Sequence, residues 1–336
     1  MTRTAAVMLS LGAAVFVALL AWQGAGAVAA TLAAAGWGLA LVAAFHLVPL
    51  VIDAAAMAVL VAPPATFFDA LRSRWAGESV NSLMPAGQIG GPVLMARHLA
   101  QRSTPMHEAA AAVTVSTTMQ SVAQIAFALL GLTAFAAFSA SQSAHAAHAM
   151  QVAALGASAV LAVAVGTFYY AQQRGLFGRF SRLLGKAFGA SGTMQTAARA
   201  DAIDDAVRRL YAERRRVAAS FALSFAGWLA GIGEVWLALS FIGHPVSWLD
   251  ALLLESVGQA IRGAAFAIPG SLGAQEGGYL LLAPLVGLTP DAALALSLAK
   301  RARELALGLP GLVYLHWSER DWQRRRATGL PLAERR

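Results

Sequence analysis

Residues 217–242 read VAASFALSFAGWLAGIGEVWLALSFI, and Glu234 is the only charged side chain in that run. A bilayer core of about 30 Å needs roughly 20 predominantly apolar residues in one helix, so the run is long enough to cross. Arg214, Arg215 and Arg216 abut its start, whereas the connection 243–249 beyond its end holds no Lys or Arg. Comparable stretches lie at about 5–22, 36–62, 108–138, 150–170, 250–268, 274–288 and 291–315. The whole chain is 58% hydrophobic and 12% charged. Soluble domains carry about 25% charged residues, so the charge needed to cover a water-facing surface is absent. The sequence therefore reads as an all-α polytopic membrane protein.

The basic residues give the sidedness. Arg3, four residues within 63–107, ten within 171–216 and six after His316 account for twenty-one of the twenty-five Lys and Arg residues. The connections 23–35, 139–149, 243–249 and 289–290 contain none. Cytoplasmic loops collect Lys and Arg, so both termini are expected on the cytoplasmic side of a bacterial inner membrane. The net charge of +8 then suits anionic lipid headgroups and not nucleic acid. The run from Ala5 to Trp22 is long for a signal peptide and is read as a retained first helix, with a cleaved signal as the alternative. The whole of 1–336 is expected to form one membrane domain. Its parts are a first half at 1–149, a second half at 150–318 with a basic loop at 171–216, and a basic tail at 319–336. From Asp201 the loop has helical spacing, with Ile203, Val207, Leu210 and Tyr211 on one face and Asp204 and Asp205 four residues before Arg208 and Arg209. Such a helix is expected on the inner leaflet, or as a solvated connector.

Two interrupted stretches resemble each other. One runs from Gly77 through Glu78-Ser79-Val80-Asn81-Ser82-Leu83 and Pro85 to Gln88-Ile89-Gly90-Gly91-Pro92. The other runs from Glu255-Ser256-Val257 to Ile268-Pro269-Gly270-Ser271-Leu272-Gly273 and Gln275-Glu276-Gly277-Gly278. Each opens with Glu-Ser-Val, reaches a proline, and then a Gln closely followed by Gly-Gly. Asp53 precedes Glu78, and Glu234 precedes Glu255, inside the preceding apolar segment. If each stretch is a re-entrant hairpin, about six transmembrane helices remain and the halves have inverted topology. Eight full crossings satisfy the same charge parity. Hairpins are favoured because Pro and Gly free backbone groups that hydrocarbon cannot satisfy. Pro85, Gly90, Gly91, Pro269, Gly270 and Gly273 are the expected hinges.

Asp53, Glu78, Glu234, Glu255, Arg262, Glu276, Lys300, Arg301, Arg303 and Glu304 all lie in or beside apolar segments. A charge at the centre of a membrane helix costs about 2.5–3.5 kcal/mol on insertion scales, so these residues must pair around an internal cavity. Glu304 stands four residues after Lys300 and three after Arg301, and Arg262 two turns after Glu255. Thr114, Thr117, Ser121 and Gln124 recur at helical spacing, as a cavity face or as interhelical glue. Glu78, Asn81, Gln88, Glu255, Arg262, Glu276, Lys300, Arg303 and Glu304 are the candidate cavity residues, with Asp53, Glu234 and Gln124 as further polar positions. Gln88-Ile89-Gly90-Gly91 also has the glycines needed to cradle a phosphate through backbone N–H groups.

Several chemistries are excluded or unsupported. Cysteine is absent, which excludes thiol catalysis, disulfides and thiolate metal sites. His107-Glu108 lacks the second histidine of a zincin helix. His145 and His148 are three apart in an expected outer loop, more often an incidental pair than a metal site. No Walker loop, dinucleotide fingerprint or nucleophile elbow occurs, so no catalytic residue, cofactor or metal is assigned.

At Gly77–Pro92, Ile268–Gly278 and Ser297–Gly311 the chain resembles the membrane-domain family of lysylphosphatidylglycerol synthase/flippase proteins, closest to the hopanoid-biosynthesis-associated branch. The resemblance runs from about residue 5 to 318 and implies lipid handling: moving or presenting a hopanoid or an anionic phospholipid. The chain ends soon after its last apolar segment, so lipid aminoacylation by a following soluble domain is not expected. A lipid translocase or transport accessory is the leading expectation. A headgroup-modifying membrane enzyme and a scaffold that recruits lipid-biosynthesis enzymes are the alternatives.

Overall fold

A computed structural model describes residues 30, 33, 35–84, 87–102, 104–138, 152, 156, 159, 162–163, 165–179, 193–265, 268 and 271–327. The run 5–22, His145, His148, Pro85, Pro269, Gly270 and the side chain of Gln88 lie outside these described residues. The helices are α1 (Gly38–Phe45), α2 (Leu47–Ala58), α3 (Phe67–Leu83), α4 (Gly87–Ala100) and α5 (Met106–Phe138). They continue with α6 (Thr193–Ala212), α7 (Arg214–Ile242), α8 (Trp248–Ala264), α9 (Ala274–Leu282) and α10 (Pro290–Ala327). No strand occurs among the described residues.

Among the described residues, three spans are long and apolar enough to cross a membrane: Gly38–Ala58, Met106–Ala134 and Arg214–Ile242. Leu41, Val51, Leu130, Leu229, Leu309 and Val313 are exposed on the outside of the bundle. Leucine and valine faces turned outward along such spans suit hydrocarbon as the solvent. The architecture is that of an all-α polytopic membrane protein.

α1 and α2 form one span that is interrupted at His46. Pro49 supplies no backbone N–H and its ring crowds the turn before it, so the ladder is interrupted at Phe45–His46.

α3 and α4 pack as a hairpin, as do α8 and α9. With 17, 14, 17 and 9 residues, all four helices are shorter than the roughly 20 residues of a crossing. The entry helices start alike. The Thr66 hydroxyl accepts the Asp69 N–H, and the Asp69 carboxylate accepts the Thr66 N–H. Ser247 and Asp250 repeat this reciprocal cap at α8. Gly90 and Gly91, expected as hinges, instead lie within α4. Gly91 is a close-approach point: its N–H donates to Asn81 Oδ1 at 2.9 Å, which ties α4 to α3. Gly273 does sit at a turn, with φ +79°, and lets α9 begin abruptly.

The hairpins then cross-pack, α3 against α10 and α8 against α5. Ser79 on α3 nests on Gly311 of α10, and Ser256 on α8 nests on Gly131 of α5. Each hydroxyl bonds back to a carbonyl of its own helix, Trp75 and Leu253 respectively, so no polar group is left open in the contact. The two matching Glu-Ser-Val triplets thus make equivalent contacts.

α6 departs from the expectation. Ala206, Val207 and Leu210 are buried, and Ile203 and Tyr211 pack beside them in an apolar cluster with Val113 and Val115 of α5. The apolar face covers protein, not the inner leaflet. Asp204 is buried and accepts the backbone N–H groups of Phe177 and Gly178, at 3.1 and 2.7 Å. Asp205 pairs with Arg208, three residues along the helix.

A branched side chain at Gly131 or Gly311 would collide with Ser256 or Ser79. Overpacking of this kind costs about 1–3 kcal/mol. Gly131→Val and Gly311→Val should therefore each lower the unfolding temperature in detergent, whereas unchanged melting would contradict this packing.

Candidate functional site: an ion-paired cavity between two apolar clusters

The long helices carry apolar residues at both ends of a polar middle. On the α1–α2 span Val42 belongs to one buried cluster and Met57 to another, with His46 and Asp53 between them. On α5, Val115 and Phe127 bracket Thr117, Gln120, Ser121 and Gln124. On α7, Val217 and Val235 bracket Gly227, Gly231 and Glu234. These middles enclose a cavity of about 210 Å³. It lies at mid-span of the three membrane-length segments, where charge is most costly.

Two small residues set the wall. A Cβ at Gly227 would lie 2.7 Å from Asp53 Oδ1, and one at Gly231 would lie 3.2 Å from Glu255 Oε1. One turn apart on α7, these glycines make room for carboxylates from α2 and α8.

The ion pairs form a connected network. Glu255 takes Lys300 Nζ at 2.5 Å, with Glu234 3.8 Å from the same nitrogen. Arg303 reaches Glu234 at 3.0 Å and Glu304 at 3.5 Å. Glu304 also holds Arg262 at 2.7 Å and Arg301 at 3.1 Å, and Arg301 continues to Glu276 at 3.2 Å. His46 bridges Glu234 at 2.7 Å and Glu78 at 2.9 Å. A second group joins Asp53 to Arg74 at 2.9 Å and to Gln120 at 2.8 Å.

Glu78, Asn81, Glu255, Arg262, Arg303, Asp53, Glu234 and Gln124 line the cavity. Three candidates do not. Glu276 is fully buried; it accepts the Gly273 N–H and the Ser297 hydroxyl, which fastens the second hairpin to α10. Lys300 lies behind Glu255 with 2% of its side chain exposed. Glu304 faces a small side recess beside Trp75 and Leu307. The expected Lys300–Glu304 pair gives way to Lys300–Glu255, because α8 brings a carboxylate across. Likewise Arg262 turns from Glu255, its neighbour two turns away, to Glu304 and to Gln275 at 3.1 Å.

The stripe on α5 does both jobs: Thr117, Ser121 and Gln124 line the cavity, and Gln124 also donates to the Gln259 carbonyl at 2.6 Å. Thr114 does not line it.

Sequence reasoning missed His46, Arg74, Gln120 and Gln259. The signal for His46 was available: a histidine three residues before Pro49, inside an apolar run. Arg74 had no such signal, since it counted as one of the basic residues of the segment 63–107. No group of three or more metal-ligating side chains occurs among the described residues.

The fold and the site together define a polytopic helical membrane protein that holds a polar, ion-paired cavity inside its bundle. Residues 8–311 match the family model of the lysylphosphatidylglycerol synthase TM region, and the chain belongs to that family. No curated protein and no solved structure gives a significant match.

Removing one partner of a buried ion pair costs about 3–5 kcal/mol, because the other charge is stranded. Lys300→Met should therefore destabilise the protein by that order, and adding Glu255→Gln should recover much of the loss. Thermal unfolding of the single and double variants in detergent checks this, and additive losses would contradict the pairing.

Proposed function

We propose that this protein moves or presents a polar-headed lipid across the bacterial inner membrane, with the mid-span cavity receiving the headgroup. The observation that carries the reading is the cavity's place and lining: charged side chains from both halves, held at the depth where water is scarcest. Membership of the lysylphosphatidylglycerol synthase TM-region family supports a lipid-related role. The volume of about 210 Å³ is below the roughly 300–1,000 Å³ of pockets that engulf a drug-sized molecule. A headgroup enters, and the acyl chains or hopanoid rings stay in the hydrocarbon. The likeness to the hopanoid-associated branch directs the substrate toward hopanoids or anionic phospholipids.

The two halves form an inverted repeat in this reading. The paired contacts Ser79–Gly311 and Ser256–Gly131, and the twin caps at Thr66 and Ser247, support it. The hairpins enter from opposite sides and rock against α5 and α10, exposing the cavity to each leaflet in turn. Glu78, with 31% of its side chain exposed, is the acid most open to an incoming headgroup.

Leaflet-resolved lipid analysis of cells with and without the protein tests the translocase. A leaflet imbalance in the deletion that the Glu78→Gln/Glu255→Gln double variant fails to rescue is the expected result. Loss of a lipid species with no imbalance would point to synthesis or scaffolding. Orientation is checked separately, because the chain has no native cysteine. Pro245→Cys should react with a membrane-impermeant thiol reagent from outside the inner membrane, and Arg209→Cys only after permeabilisation.

A further inference from the structure

A lipid whose headgroup sits in the mid-span cavity has to pass its chains through the helix wall, because apolar chains are held in hydrocarbon. The structure offers a place for that passage. A small recess between α2, α3 and α10 shares His46, Leu50, Glu78, Ser82 and Arg303 with the cavity, so the two adjoin. Beyond the shared residues its lining turns to Trp75 and Ser79 on α3 and to Leu307 and Gly308 on α10. Glu304 also faces it, but is held by Arg262 and Arg301. Charge is thus gathered where the recess meets the cavity, and indole and leucine line the remainder, the order of polarity along a lipid from headgroup to chain. We propose that this recess is a lateral slot, the site that takes the chain of the lipid whose headgroup occupies the cavity.

Glu78 lines both spaces, and its side chain is the most open of the cavity acids. Next to Leu50 in the chain, Val51 is exposed on the outside of α2, and Leu309 is exposed next to Gly308 on α10. Hydrocarbon therefore reaches the helices that form the slot. The second half supplies a comparison. Its Glu-Ser-Val triplet sets Ser256 on Gly131, as Ser79 sits on Gly311. In that register Phe127, four residues before Gly131, corresponds to Leu307, four before Gly311. Phe127 is fully buried and stacks on Trp228 at 6.2 Å, whereas Leu307 is half-buried and lines the recess. Glu255, the counterpart of Glu78, is covered and held by Lys300. The matching place is filled, so chain access in this conformation is one-sided. At about 10 Å³ the slot has room for roughly one water, so it has to widen for a chain. Its α3 and α10 walls are tied by the Trp75 indole N–H, which donates to the Leu307 carbonyl at 2.9 Å.

The slot rests on the translocase reading for its part in transport, and on the recess alone for binding a chain. Binding is tested with full-length protein in nanodiscs of phosphatidylglycerol that bears a diazirine near the glycerol end of one acyl chain. After irradiation, peptide mass spectrometry should find adducts on Leu50 and Leu307. Leu50 is only 5% exposed, so lipid that merely coats the bundle does not reach it. Adducts on the outward-facing Leu229 with none on Leu50 or Leu307 would overturn the slot. Transport is tested by closing the slot reversibly. Because the chain has no native cysteine, a short bis-methanethiosulfonate reagent can bridge Leu50→Cys to Leu307→Cys. In proteoliposomes with headgroup-labelled phosphatidylglycerol, bridging should cut lipid movement to the level of protein-free liposomes, and reduction should restore it. Each single variant given the same reagent should keep its untreated rate. Bridged protein that moves lipid as fast as unbridged protein would overturn the slot as the route. Adducts on Leu50 and Leu307 in a protein that moves no lipid, bridged or not, would remove the translocase reading and leave the chain-binding slot standing.

Discussion

Charge buried at the middle of a membrane bundle has to be compensated within the protein, and this structure is arranged around that need. The answer comes mainly from one helix. Lys300, Arg301 and Arg303 fall within about one turn of α10 and meet acids delivered by α7, α8 and α9, while Glu304 beside them takes Arg262 from α8. These pairs join α10 to three other helices, so the ion network also fixes how the helices cross. A membrane protein gains little hydrophobic drive for helix association from lipid that is as apolar as leucine. Ion pairs that lose several kcal/mol when broken supply part of the missing specificity.

Close packing supplies another part. Glycine appears where one helix must come near another: Gly131 and Gly311 beneath serines, and Gly227 and Gly231 beneath carboxylates. The second pair matters for function as well as for packing. Larger residues on α7 would push Asp53 and Glu255 inward and close the space that the ion pairs surround. At Pro310 the helix ladder is locally weakened, and there the Trp75 indole donates to the Leu307 carbonyl at 2.9 Å, joining the first hairpin to α10. The same region thus combines a proline inside a helix, a glycine contact and a hairpin.

His46 links these themes. The interruption at His46 divides one span into two helices, and the imidazole there lies between acids from α3 and α7.

The sequence alone determined that this is a helical membrane protein, because apolar runs such as 217–242 leave no soluble alternative and composition is a local property. It also determined which acids lie where they need partners, since Glu78, Glu234 and Glu255 interrupt apolar segments. Tertiary structure decided who pairs with whom. Spacing along α10 suggested Lys300 with Glu304, and along α8 Arg262 with Glu255. Helices that cross exchanged both, because α8 and α10 bring acids and cations face to face, whereas the Arg301–Glu304 pair that the same spacing suggested does form within α10 at 3.1 Å. The same reason hid Arg74, His46 and the covering of α5 by α6. Periodicity shows that a face is apolar or polar, and only the packed bundle shows what that face meets.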